Sequence, residues 1–341
     1  MKKFLCLIVL MLAVVCMFTA CKSPDDLPDD LFPTSVGLAY EVQDAKRKTC
    51  SVVGIGTCTD NDIRIGGYID GYKIVSIEKE AFYNNTNITS VTIGKSVDFI
   101  EESAFLGCVN LTNVIIGDSM PVIKVGAFGG CLKLTSFVVD ENNEWYSSIN
   151  GNLYSKDGKV LYAYAAGKTD TNFVIPNSVT TIDAGAFYIC FNLTSVTIPN
   201  SVTTIGDSAF YGCWELSNVT IPNSVTKIGD SAFMVCSKLT NITIPESVTE
   251  IGKHAFLACS NLTSVIFVNP NGWHKTYFRN LEPVTPVGGT GSSTSDEKYS
   301  GGVEISATDL SDPAIAAKYL REIPQEGFED YYASYNILYR K

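Results

Sequence analysis

Histidine is nearly missing from this 341-residue chain, which carries two, His254 and His274. A site that relays protons through imidazole or binds a metal with it has little to draw on. There is no G-x-S-x-G elbow, phosphate-binding glycine loop, H-E-x-x-H pair or C-x-x-C pair. Those are the spacings that gather a nucleophile, phosphate-cradling amides or zinc ligands. The chain is therefore expected to be no enzyme and to use no metal or cofactor. Basic residues are scarce too, 25 Lys and Arg against 36 Asp and Glu, for a net charge of -11. That balance repels a phosphate backbone and excludes nonspecific nucleic-acid binding. Only 18% of residues are charged while 45% are hydrophobic, enough to bury a core.

Long apolar runs are missing except at the start, where Lys2 and Lys3 precede an apolar stretch from Phe4 to Phe18 and the tripeptide "TAC". About 15 residues is short for a stable span. A basic head, apolar body and small-residue end read as an export signal over residues 1–20. Phe18-Thr19-Ala20 before Cys21 resembles a bacterial lipobox, with Phe where such boxes usually carry Leu. The resemblance implies that Cys21 is acylated; the other reading is a plain secretory signal. Losing Lys2 and Lys3 leaves 23 bases against 36 acids, a charge of -13. Several acyl chains, at roughly 0.8 kcal/mol per buried methylene, would anchor the chain to a membrane. The acidic, proline-containing segment "KSPDDLPDDLFP" reads as an extended tether over residues 21–37.

What the chain does have is repetition. Ile77, Ile100 and Ile123 stand at a constant spacing of 23, as do Ile182, Ile205, Ile228 and Ile251. Ala-Phe follows each at a fixed distance, from Ala81-Phe82 to Ala255-Phe256. The eighth position after the isoleucine holds Cys108, Cys131, Cys190, Cys213, Cys236 or Cys259, and Asn85 in the first copy. Leu193, Val196 and Ile198, then Leu216, Val219 and Ile221, form an L-x-x-V-x-I pattern whose end alternates with period two, as a strand does. Pro199, Pro222 and Pro245 close the strands because proline cannot donate to a ladder. "NSVT" makes a turn, and the isoleucine-to-cysteine stretch has room for about two helical turns at most.

One such unit is too thin to fold alone, whereas stacked units share a parallel sheet and a continuous interior. The pattern I-x-x-x-A-F-x-x-C-x-x-L-x-x-V-x-I-P, recurring over about residues 60–268, resembles the BspA-like, or treponemal-type, leucine-rich repeat. Gly94, Gly117, Asp140 and Val268 depart from it at the proline position. The resemblance implies a repeat solenoid in which every repeat forms one leucine-rich coil and adds one strand to a parallel sheet. It further implies a cell-surface or outer-membrane protein that adheres to host matrix or to other bacteria.

Cysteines at one phase are expected to stack as a ladder on the inner stripe, roughly 4.8 Å apart. Parallel side-chain vectors and coil-by-coil repetition favour buried reduced thiols over bridges. Cys50 and Cys58 lie outside the ladder. They form a disulfide across "SVVGIGT", or Cys58 fills the first ladder pocket and Cys50 sits in a capping strand.

The remaining segments complete the expected organisation: a β-rich N-terminal cap over 38–76, the solenoid over 77–268 and an insertion near 140–176. A linker over 269–299 and a small C-terminal module over 300–341 follow. The interval from Ile123 to Ile182 is 59 instead of 23. Phe173 and Ile175 keep the strand phase, so one degenerate coil lies there. Asp157-Gly158 in "LYSKDGKVLYAY" signals a hairpin, expected to stand off the solenoid, with Trp145 and Tyr146 at its base either packing or forming a patch. Asp312-Pro313 starts a short helix, and Phe328, Tyr331, Tyr332, Tyr335 and Tyr339 make the tail too aromatic for a disordered end.

Function is expected on the outward side of the sheet. Ser90, Thr92, Asn113, Ser136 and Ser264 belong to that face, and its centre is the candidate ligand-binding set Ser195, Thr197, Asn218, Thr220, Asn241 and Thr243. Such an array presents a large rigid surface to an extended ligand, or it only keeps an exposed sheet soluble. His254 shares the phase of Ser103, Ser208 and Ser231 and reads as a turn residue. The expectation is a noncatalytic surface lipoprotein whose partners are host or bacterial surface proteins. The alternative is a periplasmic or envelope lipoprotein with a structural or polysaccharide-binding role.

Overall fold

The computed structural model describes residues 33–118, 121–277, 303–304, 307–321 and 336–340. The expected export signal, Cys21 and the tether to residue 32 lie outside the described residues. So do 278–299 of the expected linker and Phe328, Tyr331, Tyr332 and Tyr335.

The 23-residue period becomes a parallel β-solenoid of about nine turns. Each turn lays one strand on a principal face, as in Ser90–Ile93, Asn113–Ile116 and Ser136–Val139, then Ser195–Thr197 and Asn218–Thr220, then Asn241–Ile244 and Ser264–Phe267. A second face is built from two-residue strands such as Thr204–Ile205 and Lys227–Ile228. Register is kept at 23 on both: Val196 lies opposite Val219 and Ile205 opposite Ile228. Alternation puts Val196, Val219 and Ile242 inside, and leaves Thr197 and Thr220 exposed.

Between isoleucine and cysteine the chain makes turns rather than helix. The third and seventh residues after the isoleucine are left-handed, as in Ser208 and Gly212, Ser231 and Val235, His254 and Ala258. A left-handed residue twice per coil interrupts any α-helical run. The stretch serves to align the interior. Phe187, Phe210, Phe233 and Phe256 stack with centroids 4.7, 5.0 and 5.2 Å apart and planes within 7°. Hydroxyl ladders stitch the outside: Thr203, Thr226 and Thr249 each donate to the carbonyl of the threonine one coil earlier, at 3.3 Å. Carboxylates do the same, with Asp207 accepting from the Asp230 amide and Asp230 from the Lys253 amide, both at 2.8 Å.

In the last three coils the isoleucine is followed by Gly206, Gly229 or Gly252, where the neighbouring coil comes too close for a side chain. A Cβ at Gly229 would stand 2.6 Å from the Asp207 nitrogen and one at Gly206 2.7 Å from the Ala184 nitrogen.

Several expectations need correction. Repeating geometry begins inside the segment expected as a cap, where Asp62–Ile65 pairs in parallel with Ser90–Ile93. Ahead of it, Ala39–Asp44 and Thr49–Gly54 form an antiparallel ribbon that joins Tyr72–Ile77. The Asp157-Gly158 hairpin, Asn152–Ser155 with Val160–Ala163, does not stand off the solenoid: Leu161 pairs in parallel with Ile182 and supplies the missing second-face strand. At its base Tyr146 is buried, its hydroxyl donating to the Pro121 carbonyl at 2.7 Å, while Trp145 is 51% exposed. Trp273–Tyr277, in the expected linker, is a strand that pairs with Asn336–Arg340, and the latter pairs antiparallel with Ile251 of the last coil. The expected helix is Pro313–Arg321, capped by the Asp312 carboxylate, which accepts from the Ala314 amide at 2.9 Å. With Ala316, Ala317 and Leu320 buried, the end of the chain closes the solenoid's open core.

Two substitutions test this geometry by urea unfolding. Gly229→Ala is expected to lose about 1–3 kcal/mol, because its Cβ meets backbone that cannot move aside. Ala258→Gly is expected to gain about 0.5–1 kcal/mol, because Ala258 is exposed and left-handed where other coils carry Gly107, Gly130 and Gly212.

Candidate ligand-binding groove on the strand face

The outward residues fall into two rows. One runs Ser195 to Asn218, then Asn241 to Ser264; the other runs Thr197 to Thr220, then Thr243 to Ile266. Thr197, Asn218, Thr220, Asn241 and Thr243 are exposed and Ser195 is half-buried. Large apolar side chains bound the hydroxyl row: Val138 and Val174 on one side and Ile266 on the other are 46, 68 and 50% exposed. Thr92 is a correction, since it is 8% exposed instead of facing solvent. It lies between the longer Arg64 and Ile115 on the neighbouring strands, which cover its short side chain.

Proline shapes the centre of this face. In the N-terminal coils Gly94, Gly117 and Asp140 carry the ladder one bond further, donating to Ile65, Ile93 and Ile116 at 2.9, 3.3 and 3.0 Å. Pro199 and Pro222 have no N–H to do so, and the strands before them are three residues long. Pairing also stops between Asn218–Thr220 and Asn241–Ile244, which belong to different sheets. An open groove of about 410 Å³ lies over the paired strands Ser195–Thr197 and Asn218–Thr220. Ser195, Thr197, Asn218 and Thr220 wall it, Asn200 and Asn223 close its proline end, and Ile198, Ile221 and Pro222 supply apolar surface. Four of the six candidate residues are thus brought together; Asn241 and Thr243 lie outside the groove, on the next sheet. The sequence reading missed Asn200 and Asn223, although Pro-Asn follows three consecutive coil strands, at Pro176, Pro199 and Pro222. Among the described residues no ionisable side chain lines the groove, so what it offers is hydroxyl and amide hydrogen bonding beside apolar surface.

A second surface was not anticipated. On the turn edge Tyr188 stacks on Tyr211 at 4.7 Å and Phe191 lies 4.5 Å from Trp214, which is 49% exposed. The signal was available in the sequence, since the position after the ladder cysteine is aromatic only at Phe191 and Trp214, and in both coils the residue after alanine-phenylalanine is a tyrosine as well.

The six ladder cysteines offer no reactive site. Cys108, Cys131, Cys190, Cys213, Cys236 and Cys259 are free and buried. Thiols of Cys213, Cys236 and Cys259 donate to the Phe187, Phe210 and Phe233 carbonyls of the preceding coil at 3.1, 3.2 and 3.0 Å. Burial pushes the Cys108 thiol up to about 12 and Cys131, Cys190 and Cys236 well above the ordinary range, which keeps them protonated and non-nucleophilic. Cys50, buried in the capping ribbon and pushed up to about 11, and half-buried Cys58 are also free thiols, not a disulfide. Among the described residues no three His, Cys, Asp or Glu side chains are placed to hold a metal, and no helix is long and apolar enough to cross a membrane.

Comparison with known proteins bears on the same repeats. The model of the BspA type leucine rich repeat region matches residues 71–157 and 161–283, with six copies. No curated protein matches the chain at a significant level. Among solved structures, a leucine rich cell surface protein from Faecalibacterium prausnitzii is 21% identical, with a TM-score of 0.42 over 69% of this chain and 88% of that one. The leucine rich repeat protein of T. pallidum is 25% identical, with a TM-score of 0.39 over 67% and 90%. The pneumococcal vaccine antigen PcpA is 18% identical, with a TM-score of 0.39 over 70% and 82%. With more than half of its length matched and the repeat visible coil by coil, the chain belongs to the BspA-type leucine-rich repeat family.

Proposed function

We propose that this protein is a noncatalytic, surface-anchored adhesion module that holds an extended macromolecule of a host matrix or of another cell in the strand-face groove. The observation that carries the proposal is the groove at Ser195, Thr197, Asn218 and Thr220, an uncharged polar site on a rigid sheet. Rigidity favours such a role, because a preformed array pays little ordering entropy when a long ligand settles on it. The threonine and asparagine rows run along the solenoid axis and so suit a ligand that crosses several coils. The proposed partners are surface proteins, and the proposed anchor is acylated Cys21. Membership of a family whose proteins are typically exposed on bacterial surfaces supports this placement.

Adhesion is tested with the mature protein on matrix-coated wells and on whole bacteria. Thr197→Glu with Thr220→Glu is expected to weaken binding by about tenfold or more, because a carboxylate must be desolvated in a neutral groove. Ser260→Glu, on the exposed turn edge, is expected to leave it unchanged. Equal binding by all forms would reject the groove. Protease added to intact cells is expected to digest the solenoid. Digestion only after the envelope is opened would reject adhesion in favour of the periplasmic or envelope role.

A further inference from the structure

The solenoid's interior is not one core but two. One apolar cluster runs from Leu38 to Ala165 and the other from Tyr154 to Leu338. They meet at the inserted segment. The principal face is interrupted between Ser136–Val139 and Asn172–Val174, and the second face between Val122–Ile123 and the inserted strands. The phenylalanine stack stops there as well. Phe128 turns its edge to Phe137 at 5.4 Å, Tyr164 lies tilted against Phe187 at 5.4 Å, and stacking resumes with Phe187 on Phe210.

On the turn edge the two blocks stay in contact through glycines. A Cβ at Gly185 would stand 2.9 Å from the Gly126 nitrogen, and one at Gly129 2.5 Å from the Tyr188 ring. Behind this contact a cavity of about 20 Å³, room for a water molecule, opens between the blocks. One polar group there is poorly served: the Tyr164 hydroxyl in the cavity wall is buried with no hydrogen-bond partner among the described residues. Half-buried Asp183 also lines the cavity, in no ion pair among the described residues.

We propose that this joint is a pH-sensitive hinge, in which the two blocks close when the Asp183 carboxyl is protonated and part when it ionises. The groups facing that carboxyl are Lys124 on the preceding coil, Tyr162 and Tyr164 on the inserted segment with Tyr146 behind, Tyr188 on its own coil, and Gly206 and Asp207 on the next. The Lys124 ammonium lies 6.0 Å over the Phe99 ring. Burial raises all four tyrosines, which stay neutral at physiological pH. The Asp207 carboxylate accepts from the Asp230 amide. None of these neutralises an ionised Asp183. Burial holds its carboxyl above the ordinary range, against one backbone hydrogen bond from Ala184 that lowers it. A carboxyl raised in the closed state favours closure fully below its open-state value, and that contribution is lost as pH rises through the closed-state value. Ionisation therefore places an uncompensated charge in a joint already short of partners.

Hydrogen exchange on the full chain tests the hinge at two amides whose bonds tie the N-terminal coils to the inserted segment, Phe137 bonded to Gly151 at 2.9 Å and Gly167 bonded to Leu134 at 2.7 Å. After correction for intrinsic rates, their protection is expected to fall by about tenfold or more between pH 4 and pH 7. The Gly229 amide inside the C-terminal block, bonded to Ile205 at 2.9 Å, is expected to hold. Asp183→Asn and Asp183→Ala are expected to abolish the fall. Protection independent of pH in the natural protein, or an unchanged fall in a variant that keeps Gly229 protected, would overturn the proposal. Should neither variant fold, the natural protein's profile decides alone, and a flat one rejects the hinge.

Discussion

Everything in this molecule depends on register: each coil advances by one strand spacing while the chain advances by one whole repeat, so every inner side chain meets its own counterpart. The phenylalanine carbonyl shows what that achieves. Phe210 accepts from its own coil's Cys213 amide and from the next coil's Cys236 thiol, both at 3.2 Å. A turn carbonyl buried in an apolar interior is thereby satisfied twice, and the sulfur that does so fills the space beside the ring stack. Serine has a shorter, more strongly hydrated side chain, and alanine would leave both the space and a bond unfilled. The cysteine recurs because the geometry repeats.

Departures from register are where the molecule gains distinct features. Proline after the strand removes a donor, shortens the strand and leaves the groove. Residues that escape the repeat between Ile123 and Ile182 pair one strand into the second face but fail to continue the ring stack, which divides the core. Stability in such an array is close to a sum over neighbouring coils, so the weakest contact decides where it opens. The groove's walls lie entirely in the C-terminal block, and opening at the joint would leave them intact.

Much of this was legible in the sequence because a repeat states the same geometry many times. Period, strand phase, inward cysteines and the Asp312 cap were all readable from position alone. Less readable were features set by contacts between segments distant in sequence. Asp157-Gly158 announces a hairpin but does not say that Leu161 will pair with Ile182. Trp273–Tyr277 has too little context to reveal its partner at Asn336–Arg340. Alternation alone left Thr92 facing outward, because it says nothing of the long side chains on either side. Of the groove, four walls were foreseen from strand alternation. Asn200 and Asn223 were not, because they follow the strand and alternation has no hold on a turn.

Thiol labelling followed by mass spectrometry tests the stacked-coil account most directly. In the native protein Cys58 should react with a small alkylating reagent while Cys108, Cys131, Cys190, Cys213, Cys236 and Cys259 stay unmodified, and in denaturant all six should react as free thiols without prior reduction. Rapid native labelling of the six, or a need to reduce them before they label in denaturant, would contradict it.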